Sequence, residues 1–273
     1  MLLRDQLLER LAEMGAQADY SRLAADVLGV QNAPPELAKR LVAQALVMED
    51  RQHGWRRLGE RVASSAPVGP GVYILRDAAG KPLYVGKAVN LRRRLRSHFA
   101  ARRWPSVKAE LARAVDAEWV EVGSELEALL REAALITELQ PVVNVQVGLS
   151  ALRTRNVPDV LLRDVLLILP SVDPKAAELV AARVDGGCVM LRTRRDGTEL
   201  RAHAQRLLRL FLSVLPGSDV SPLAPIVFSW LARRGRHVSR LDPHDVTGAS
   251  ELRARLSALL ADDQLFTARI VVR

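Results

Sequence analysis

The first 63 residues carry apolar side chains at helical spacing. Leucines recur every three or four residues across residues 2–14, which predicts an amphipathic helix. A second helix is predicted over Ser21–Leu28, and a third over Pro35–Met48, which opens on a proline in its first turn. The His53-Gly54 pair then predicts a turn, and Trp55–Leu58 a short hairpin.

Three helices followed by a hairpin resemble a winged helix, an arrangement that often binds DNA. We therefore predict a winged-helix-like helical domain over residues 1–63. Lys39, Arg40 and Gln44 on the third helix could face a DNA groove. The alternative is a small helical unit for packing or dimerisation.

Residues 64–69 are small and turn-rich and predict a linker, after which residues 70–148 read as a second domain. Two short strands around Tyr73 and Tyr84 are joined by a turn, and a third strand is predicted over Glu118–Val122. Helices are predicted over residues 88–100 and 107–115. A further helix is predicted over Ser124–Leu139, where Ser124 and Glu127 have capping-box spacing. Residues 142–145 are predicted to be extended. The fold class expected for this domain is α+β, with a small antiparallel three-stranded sheet.

Residues 149–273 predict a third domain, of α/β type or, as the alternative, of α+β type, and without a recognisable motif. Its predicted elements are an apolar run at 160–169, helices at 176–183, 200–212 and 251–260, and strands at 188–192 and 265–272. An apolar stretch at 226–231 and a turn at 233–236 lie between the last two helices.

The formal net charge of +9 and the pI of about 10.5 suit a polyanionic partner, either a nucleic acid or an anionic membrane surface. The arginines flank polar turns instead of lining a broad amphipathic helix, so we rank the membrane last. The one cysteine, Cys188, excludes an internal disulfide and a cysteine-based zinc site and is expected to be a packing residue. The start of the chain does not read as a signal peptide, and no apolar run is long enough to span a bilayer, which predicts a cytoplasmic protein.

Charge is unevenly distributed across the central domain. The segment from Arg76 to Arg113 contains eleven lysines and arginines but only two acidic residues. The segment from Asp116 to Glu138 contains seven acidic residues and one arginine. Such blocks fit a site that grips phosphate and binds a metal, or else two solvated faces of opposite charge. Glu132 falls among apolar residues at helical spacing, so it either pairs with an arginine or binds a ligand.

Five short motifs together resemble the GIY-YIG nuclease family, and within it the amino-terminal nuclease domain of the bacterial excision-repair subunit UvrC. In chain order they are Pro70-Gly-Val-Tyr73, Leu83-Tyr-Val-Gly-Lys87, Asn90-Leu-Arg-Arg-Arg94-Leu, Glu127-Ala-Leu-Leu-Arg-Glu132 and Gln140-Pro-Val-Val-Asn144-Val. They cover residues 69–147, under a third of the chain. Each motif alone is weak, but their order and spacing are specific.

The resemblance implies a role for each matching residue. Glu132 would hold a single Mg²⁺ or Mn²⁺, which both accept oxygen ligands. Tyr84 would be the general base that deprotonates water. Since a free phenol has a pKa near ~10, it needs a cation such as Lys87 beside it. Tyr73 would orient the water or the phosphate. Without the resemblance, both tyrosines are better explained as ordinary strand residues, because aromatic residues favour strands.

Arg94 would bind the scissile phosphate through its planar donor fork. His98, one turn further on, would assist proton transfer or is a lone surface histidine, and Asn144 would steady the loop near the site. The expected DNA-binding cations are Arg92, Arg93, Arg96, Arg102, Arg103 and Lys108.

The function implied is hydrolysis of DNA phosphodiester bonds by a metal-dependent endonuclease in repair or DNA processing. A catalytically inactive nucleic-acid-binding or regulatory protein on the same scaffold is the alternative. The second nuclease domain that UvrC-like chains carry is not recognisable here. Lesion recognition and docking of a repair-protein partner would therefore fall to the flanking domains.

Overall fold

The computed structural model describes residues 3–15, 18–100, 110–147, 157–212, 221, 223–234, 238–263 and 266. The chain begins with three helices: α1 (Leu3–Met14), α2 (Tyr20–Leu28) and α3 (Pro35–Ser65). Asp19 caps the start of α2 by accepting a hydrogen bond from the Arg22 amide, and Gly29 ends it in the left-handed conformation. The first two helices and the start of the third are therefore as predicted.

The predicted hairpin at residues 53–58 is wrong, because α3 runs through it as one helix of 31 residues. A single glycine inside a helix costs only about 1 kcal/mol. Trp55, Leu58 and Val62 form an apolar stripe that is buried against the next domain, and this burial outweighs that cost. Among the described residues of 1–63 there is no wing, and the second half of α3 packs on the central domain.

The central domain contains strands β1 (Gly71–Arg76), β2 (Pro82–Ala88) and β3 (Asp116–Glu121), with helices α4 (Leu91–Phe99), α5 (Glu125–Leu139) and α6 (Val142–Val147). The strands form an antiparallel sheet in the order β2-β1-β3, which confirms the predicted α+β fold of this domain. One face of the sheet packs on α3 and α4, and the other on α5. Strand β2 lies at an edge of the sheet, so its outer backbone groups have no strand partner within the described ranges.

The extended conformation predicted for residues 142–145 is wrong, because these residues begin α6. Gln140 takes the left-handed conformation, with φ of 45°, and closes α5. Pro141 and a short second helix follow. The buried side chain of Val143 anchors α6 to the core that contains Tyr73 and Leu91. The predicted 107–115 helix lies partly outside the described residues, and a short 3₁₀ turn occupies Leu111–Arg113.

The C-terminal domain contains β4 (Val165–Pro170), β5 (Ala176–Ala182), β6 (Cys188–Arg194), α7 (Leu200–Leu212), α8 (Ala224–Arg234), β7 (Ser239–Leu241) and α9 (Ala249–Ala261). Its sheet has the order β6-β5-β4-β7, and every pairing is antiparallel. The domain is therefore α+β, not a parallel α/β arrangement. Helix α8 lies on one face, and helices α7 and α9 lie on the other.

The helix predicted over 176–183 is wrong, because this segment is the central strand β5. Its alanines favour a helix locally. All seven residues are buried between β4 and β6, however, and a strand buried on both faces reads as a continuous apolar run. The predicted helices at 200–212 and 251–260 and the strand at 188–192 are confirmed. The predicted strand at 265–272 lies outside the described residues, apart from Phe266.

Among the described residues, no helix is both long enough and apolar enough to cross a membrane.

Candidate active site

The two tyrosines lie on one face of the sheet, on neighbouring strands. Tyr73 pairs with Gly86 across β1 and β2, and Leu75 pairs with Tyr84, so both phenol rings point toward α4. Their ring centroids are 5.9 Å apart. Tyr73 is fully buried, whereas Tyr84 is half-buried. The pair therefore has a rigid inner member and an outer member that is open to a substrate.

Gly86 provides the space in which the rings meet. A Cβ on this residue would lie 2.7 Å from both the hydroxyl oxygen of Tyr73 and Cε1 of Tyr84. Only glycine fits at such a close approach without displacing a ring.

Helix α4 aims its charged face at the tyrosines. Asn90 caps the helix by accepting a hydrogen bond of 2.8 Å from the Arg93 amide. This cap fixes the start of the helix, and Leu91 and Leu95 bury the opposite side. Arg94 interacts with the hydroxyls of both tyrosines, and these contacts raise the pKa of its guanidinium.

Burial raises the pKa of Tyr73 well above the ordinary value, and the neighbouring Tyr84 hydroxyl raises it further; Arg94 opposes the shift. Among the described residues, the Tyr73 hydroxyl has no hydrogen bond of standard geometry. Tyr73 therefore stays a neutral phenol at physiological pH.

His98 lies over the outer tyrosine. Its ring is stacked on Tyr84 at 6.1 Å with an interplanar angle of 10°, and it meets Trp55 of α3 at 5.6 Å. Trp55 is itself buried against Phe99, with centroids 4.4 Å apart. A hairpin at residues 55–58 would not bring Trp55 to His98, so the sequence patterns do not predict this contact.

Two side chains bind the outer edge of β2 in place of a strand. Asn144 of α6 accepts a hydrogen bond of 2.8 Å from the Val85 amide and donates one of 2.9 Å to the Val85 carbonyl. Two residues further along the same edge, Glu132 of α5 accepts a hydrogen bond of 2.9 Å from the Lys87 amide. The motif implied that Asn144 steadies a loop, whereas the two hydrogen bonds it makes here are to the edge strand.

The surroundings of Glu132 affect the pKa of its carboxyl group in opposite directions. Burial raises the pKa of its carboxyl group, while the Lys87 ammonium, the Lys87 amide and the Arg94 guanidinium each lower it in part. Arg94 therefore influences the ionisation of Tyr73 and of Glu132 and interacts with Tyr84, and we expect these four side chains to border one site.

Lys87 does not lie where we expected it. Because residues three apart on a strand point to opposite faces, Lys87 faces α5 and not Tyr84. Its Nζ is 3.6 Å from Oε1 of Glu125, at the start of α5. In the part of the chain that the structure describes, Arg94 is the cation beside the phenols.

The predicted DNA-binding arginines differ in their surroundings. Arg92 donates a hydrogen bond of 2.7 Å to the carbonyl oxygen of Ala66, so it ties α4 to the end of α3. Arg93 and Arg96 are exposed. Arg102, Arg103 and Lys108 lie outside the described residues.

A metal at this site would depend on one protein carboxylate. Among the described residues there is no cluster of three or more histidine, cysteine, aspartate or glutamate side chains that could hold a metal. Mg²⁺ commonly keeps several waters and takes one or two carboxylates together with substrate phosphates. A partly buried carboxylate with only one of its oxygens engaged by the Lys87 amide fits that pattern.

Cys188 lies away from this site, on β6, and packs against the C-terminal core. Burial raises the pKa of its thiol to about 12, so it carries no thiolate at neutral pH. This agrees with the packing role expected from the sequence.

Comparison with known proteins places the similarity in the central domain. Residues 69–145 match the family model described as the UvrC-like GIY-YIG domain. The UvrABC system protein C of Desulforudis audaxviator is 48% identical over 79 residues, which is 29% of this chain and 13% of that protein. Its counterpart from Paenarthrobacter aurescens is 49% identical over 81 residues, covering 29% and 12%.

Among solved structures, the GIY-YIG N-terminal endonuclease domain of UvrC from Thermotoga maritima, bound to its catalytic divalent cation magnesium, is 34% identical. The match covers 32% of this chain and 94% of that one, with a TM-score of 0.27. The matched segment is thus a small part of the full-length relatives. The resemblance seen in the five motifs is confirmed: residues 69–145 of this chain correspond to a UvrC-like GIY-YIG domain.

Proposed function

We propose that this protein is a metal-dependent endonuclease that hydrolyses DNA phosphodiester bonds in repair or DNA processing. The observation that carries the proposal is the position of Arg94, which interacts with both phenols on one face and with Glu132 at the sheet edge. The sequence match to UvrABC system protein C over the same residues supports it.

In this proposal Tyr84 is the general base. It is the more exposed of the two phenols, and Arg94 beside it would stabilise the phenolate form that accepts a proton from the attacking water. Tyr73, held neutral by burial, would orient the water or a phosphate oxygen by donating a hydrogen bond from its hydroxyl. His98 would keep the Tyr84 ring in position by stacking on it.

Charge that develops on the phosphate would be stabilised from two directions. The Arg94 guanidinium offers a planar pair of donors, and Lys87 supplies a second cation close to Glu132. Glu132 would hold one Mg²⁺ or Mn²⁺, which when bound supplies Lewis-acid stabilisation of the leaving oxygen. Asn144 would hold the edge strand, and with it the amide that orients Glu132.

The surface around this site is expected to bind DNA through Arg93 and Arg96, which are exposed on α4. Contacts to phosphates of this kind give affinity without reading the base sequence. Which DNA structure is cut would then depend on the flanking domains, where a repair-protein partner could also bind.

The test is cleavage of labelled single-stranded, duplex, branched and lesion-containing DNA with Mg²⁺, with Mn²⁺ and with EDTA. We expect metal-dependent nicking that is abolished in Tyr84→Phe, Arg94→Ala and Glu132→Gln, with the fold and DNA binding retained. Glu138→Gln is the matched control, because Glu138 is exposed on the same helix. Undiminished nicking by Glu132→Gln would remove the metal role. DNA binding with no cutting of any substrate would favour the inactive nucleic-acid-binding alternative.

A further inference from the structure

Helix α5, which carries Glu132, is shared by two hydrophobic cores. Ala128 packs with the central sheet, whereas Leu126 and Leu130 on the opposite side belong to the core of the C-terminal domain. Just before the helix, a Cβ on Gly123 would lie only 1.9 Å from the carbonyl oxygen of Pro170 at the end of β4. The C-terminal domain is therefore in close contact with the helix that positions the proposed metal ligand.

One charged residue reaches the site from the C-terminal domain. Arg234 is the last residue of α8, and its Nε lies 3.5 Å from Oε2 of Glu125. The other oxygen of Glu125 lies 3.6 Å from Nζ of Lys87. A single carboxylate therefore links a lysine of the edge strand to an arginine of another domain.

The carboxylate of Glu125 needs a cation at all times. Its side chain is only 12% exposed, and a carboxylate so largely removed from water is costly when it is unpaired. In the resting state two cations share it. If Lys87 turns to a substrate phosphate, Arg234 still neutralises Glu125.

We propose that Arg234 is a positioning residue of the nuclease site, which keeps Glu125 paired and so releases Lys87 to bind a phosphate of the DNA substrate. This inference rests on the proposed function. Without Arg234, release of Lys87 would leave Glu125 unpaired, and Lys87 would remain bound to it. The C-terminal domain thus acts on the reaction through one guanidinium.

The first test compares cleavage rates of the full-length protein and its variants at saturating DNA with Mg²⁺. We expect Arg234→Ala to lower the rate constant about fivefold, which corresponds to ~1 kcal/mol. Arg234→Lys, which retains the positive charge, should keep most of the rate. Arg233→Ala is the matched control, since it removes the same charge from the exposed neighbouring position.

The decisive variant is the double substitution Glu125→Gln with Arg234→Ala. It should restore the rate, because the carboxylate of Glu125 no longer holds Lys87. A purely structural role of Arg234 predicts no such rescue. A wild-type rate for Arg234→Ala would overturn the proposal. The proposal would also be overturned if Arg234→Ala raises the KM for DNA and the added Glu125→Gln substitution does not lower it again. That result would indicate that Arg234 contacts DNA directly.

A second measurement does not need cleavage. The Lys87 amine can be acetylated in a short pulse at fixed pH in EDTA, and its modification quantified by mass spectrometry. We expect slower modification in Arg234→Ala, faster modification in the double variant and no change in Arg233→Ala. Equal rates in all four proteins would overturn the coupling even if the enzyme cuts DNA. If the wild-type protein cuts nothing, the proposed function fails, and this measurement still decides whether Arg234 controls Lys87.

Discussion

Replacing Gly86 with alanine should separate the two phenols. The added Cβ would lie 2.7 Å from the Tyr73 hydroxyl oxygen and from Cε1 of Tyr84, against an ordinary contact of ~3.5 Å or more. Both rings, or the β2 backbone at residue 86, must therefore give way by about 0.8 Å. Tyr73 is fully buried, so Tyr84, the half-buried partner, should be the ring that shifts further. Overpacking of this kind costs ~1–3 kcal/mol of the free energy of unfolding.

The effect on activity should be larger than the effect on stability. A displacement of about 1 Å in a reacting group can cost on the order of 100-fold in rate, so we expect single-turnover nicking to fall by tens to a hundredfold in Gly86→Ala. Urea unfolding measures the stability change. Gly54→Ala is the matched control, because a Cβ there has nothing within 4 Å. It should be as stable as the wild type or slightly more so, with unchanged activity.

A further comparison shows whether the loss passes through the phenols. In a Tyr84→Phe background the base is already removed, so Gly86→Ala should cost little more. If Gly86→Ala alone nicks DNA at the wild-type rate, the close contact does not set the geometry of the pair, and the assignment of Tyr84 as the base loses its support.

Three further outcomes follow from the same site. Glu132→Gln should lose Mn²⁺ binding in calorimetry but melt at the same temperature as the wild type or higher. Burial raises the pKa of Glu132, so the native protein retains this proton to higher pH than the unfolded chain. The relevant pH range lies between the ordinary pKa of glutamate in the unfolded chain and the raised pKa of Glu132 in the native protein. As the pH rises through this range, the wild type should lose stability relative to Glu132→Gln. As the pH falls through it, the metal affinity of the wild type should weaken, because the carboxylate becomes protonated. Asn144→Ala removes both hydrogen bonds to Val85 and should lower the free energy of unfolding in urea by ~1–3 kcal/mol, whereas an unchanged value would mean that water replaces the side chain fully. Trp55→Ala removes the ring packed on His98 and Phe99 and should cost ~3–5 kcal/mol by urea unfolding, with His53→Ala, two residues earlier and half-buried, as the milder control.

The local signals in the sequence were enough to predict the strands and helices that carry Tyr73, Tyr84, Arg94 and Glu132, but not the helix α6 that carries Asn144. Ser124 caps α5 as its spacing with Glu127 predicted, accepting a hydrogen bond of 3.1 Å from the Glu127 amide. Strand pairing around Tyr73 and Tyr84, and the helix that carries Arg94, follow from alternation and capping over a few residues. These features depend on near neighbours, which a single sequence displays.

The errors occurred where distant packing decides the structure. The alanines of β5 favour a helix, and only the flanking strands β4 and β6 make this segment a strand. Gly54 suggested a turn, yet the burial of Trp55 against α4 keeps the helix intact. The ion pair of Glu125 with Arg234 joins residues more than a hundred positions apart in the sequence, and no local pattern predicts such a contact.

The edge position of β2 explains why residues from both faces of a sheet can form one site. Side chains alternate along a strand, so the face that holds Tyr84 cannot also hold Lys87. A central strand would keep these two faces apart, because its backbone groups pair with neighbours on both sides. At an edge the outward amides are available, and Glu132 reaches one of them from the α5 side while Arg94 approaches from the α4 side. An exposed edge is ordinarily a liability for aggregation. Here Asn144 and Glu132 occupy it, so the groups that protect the edge are also the groups that assemble the proposed active site.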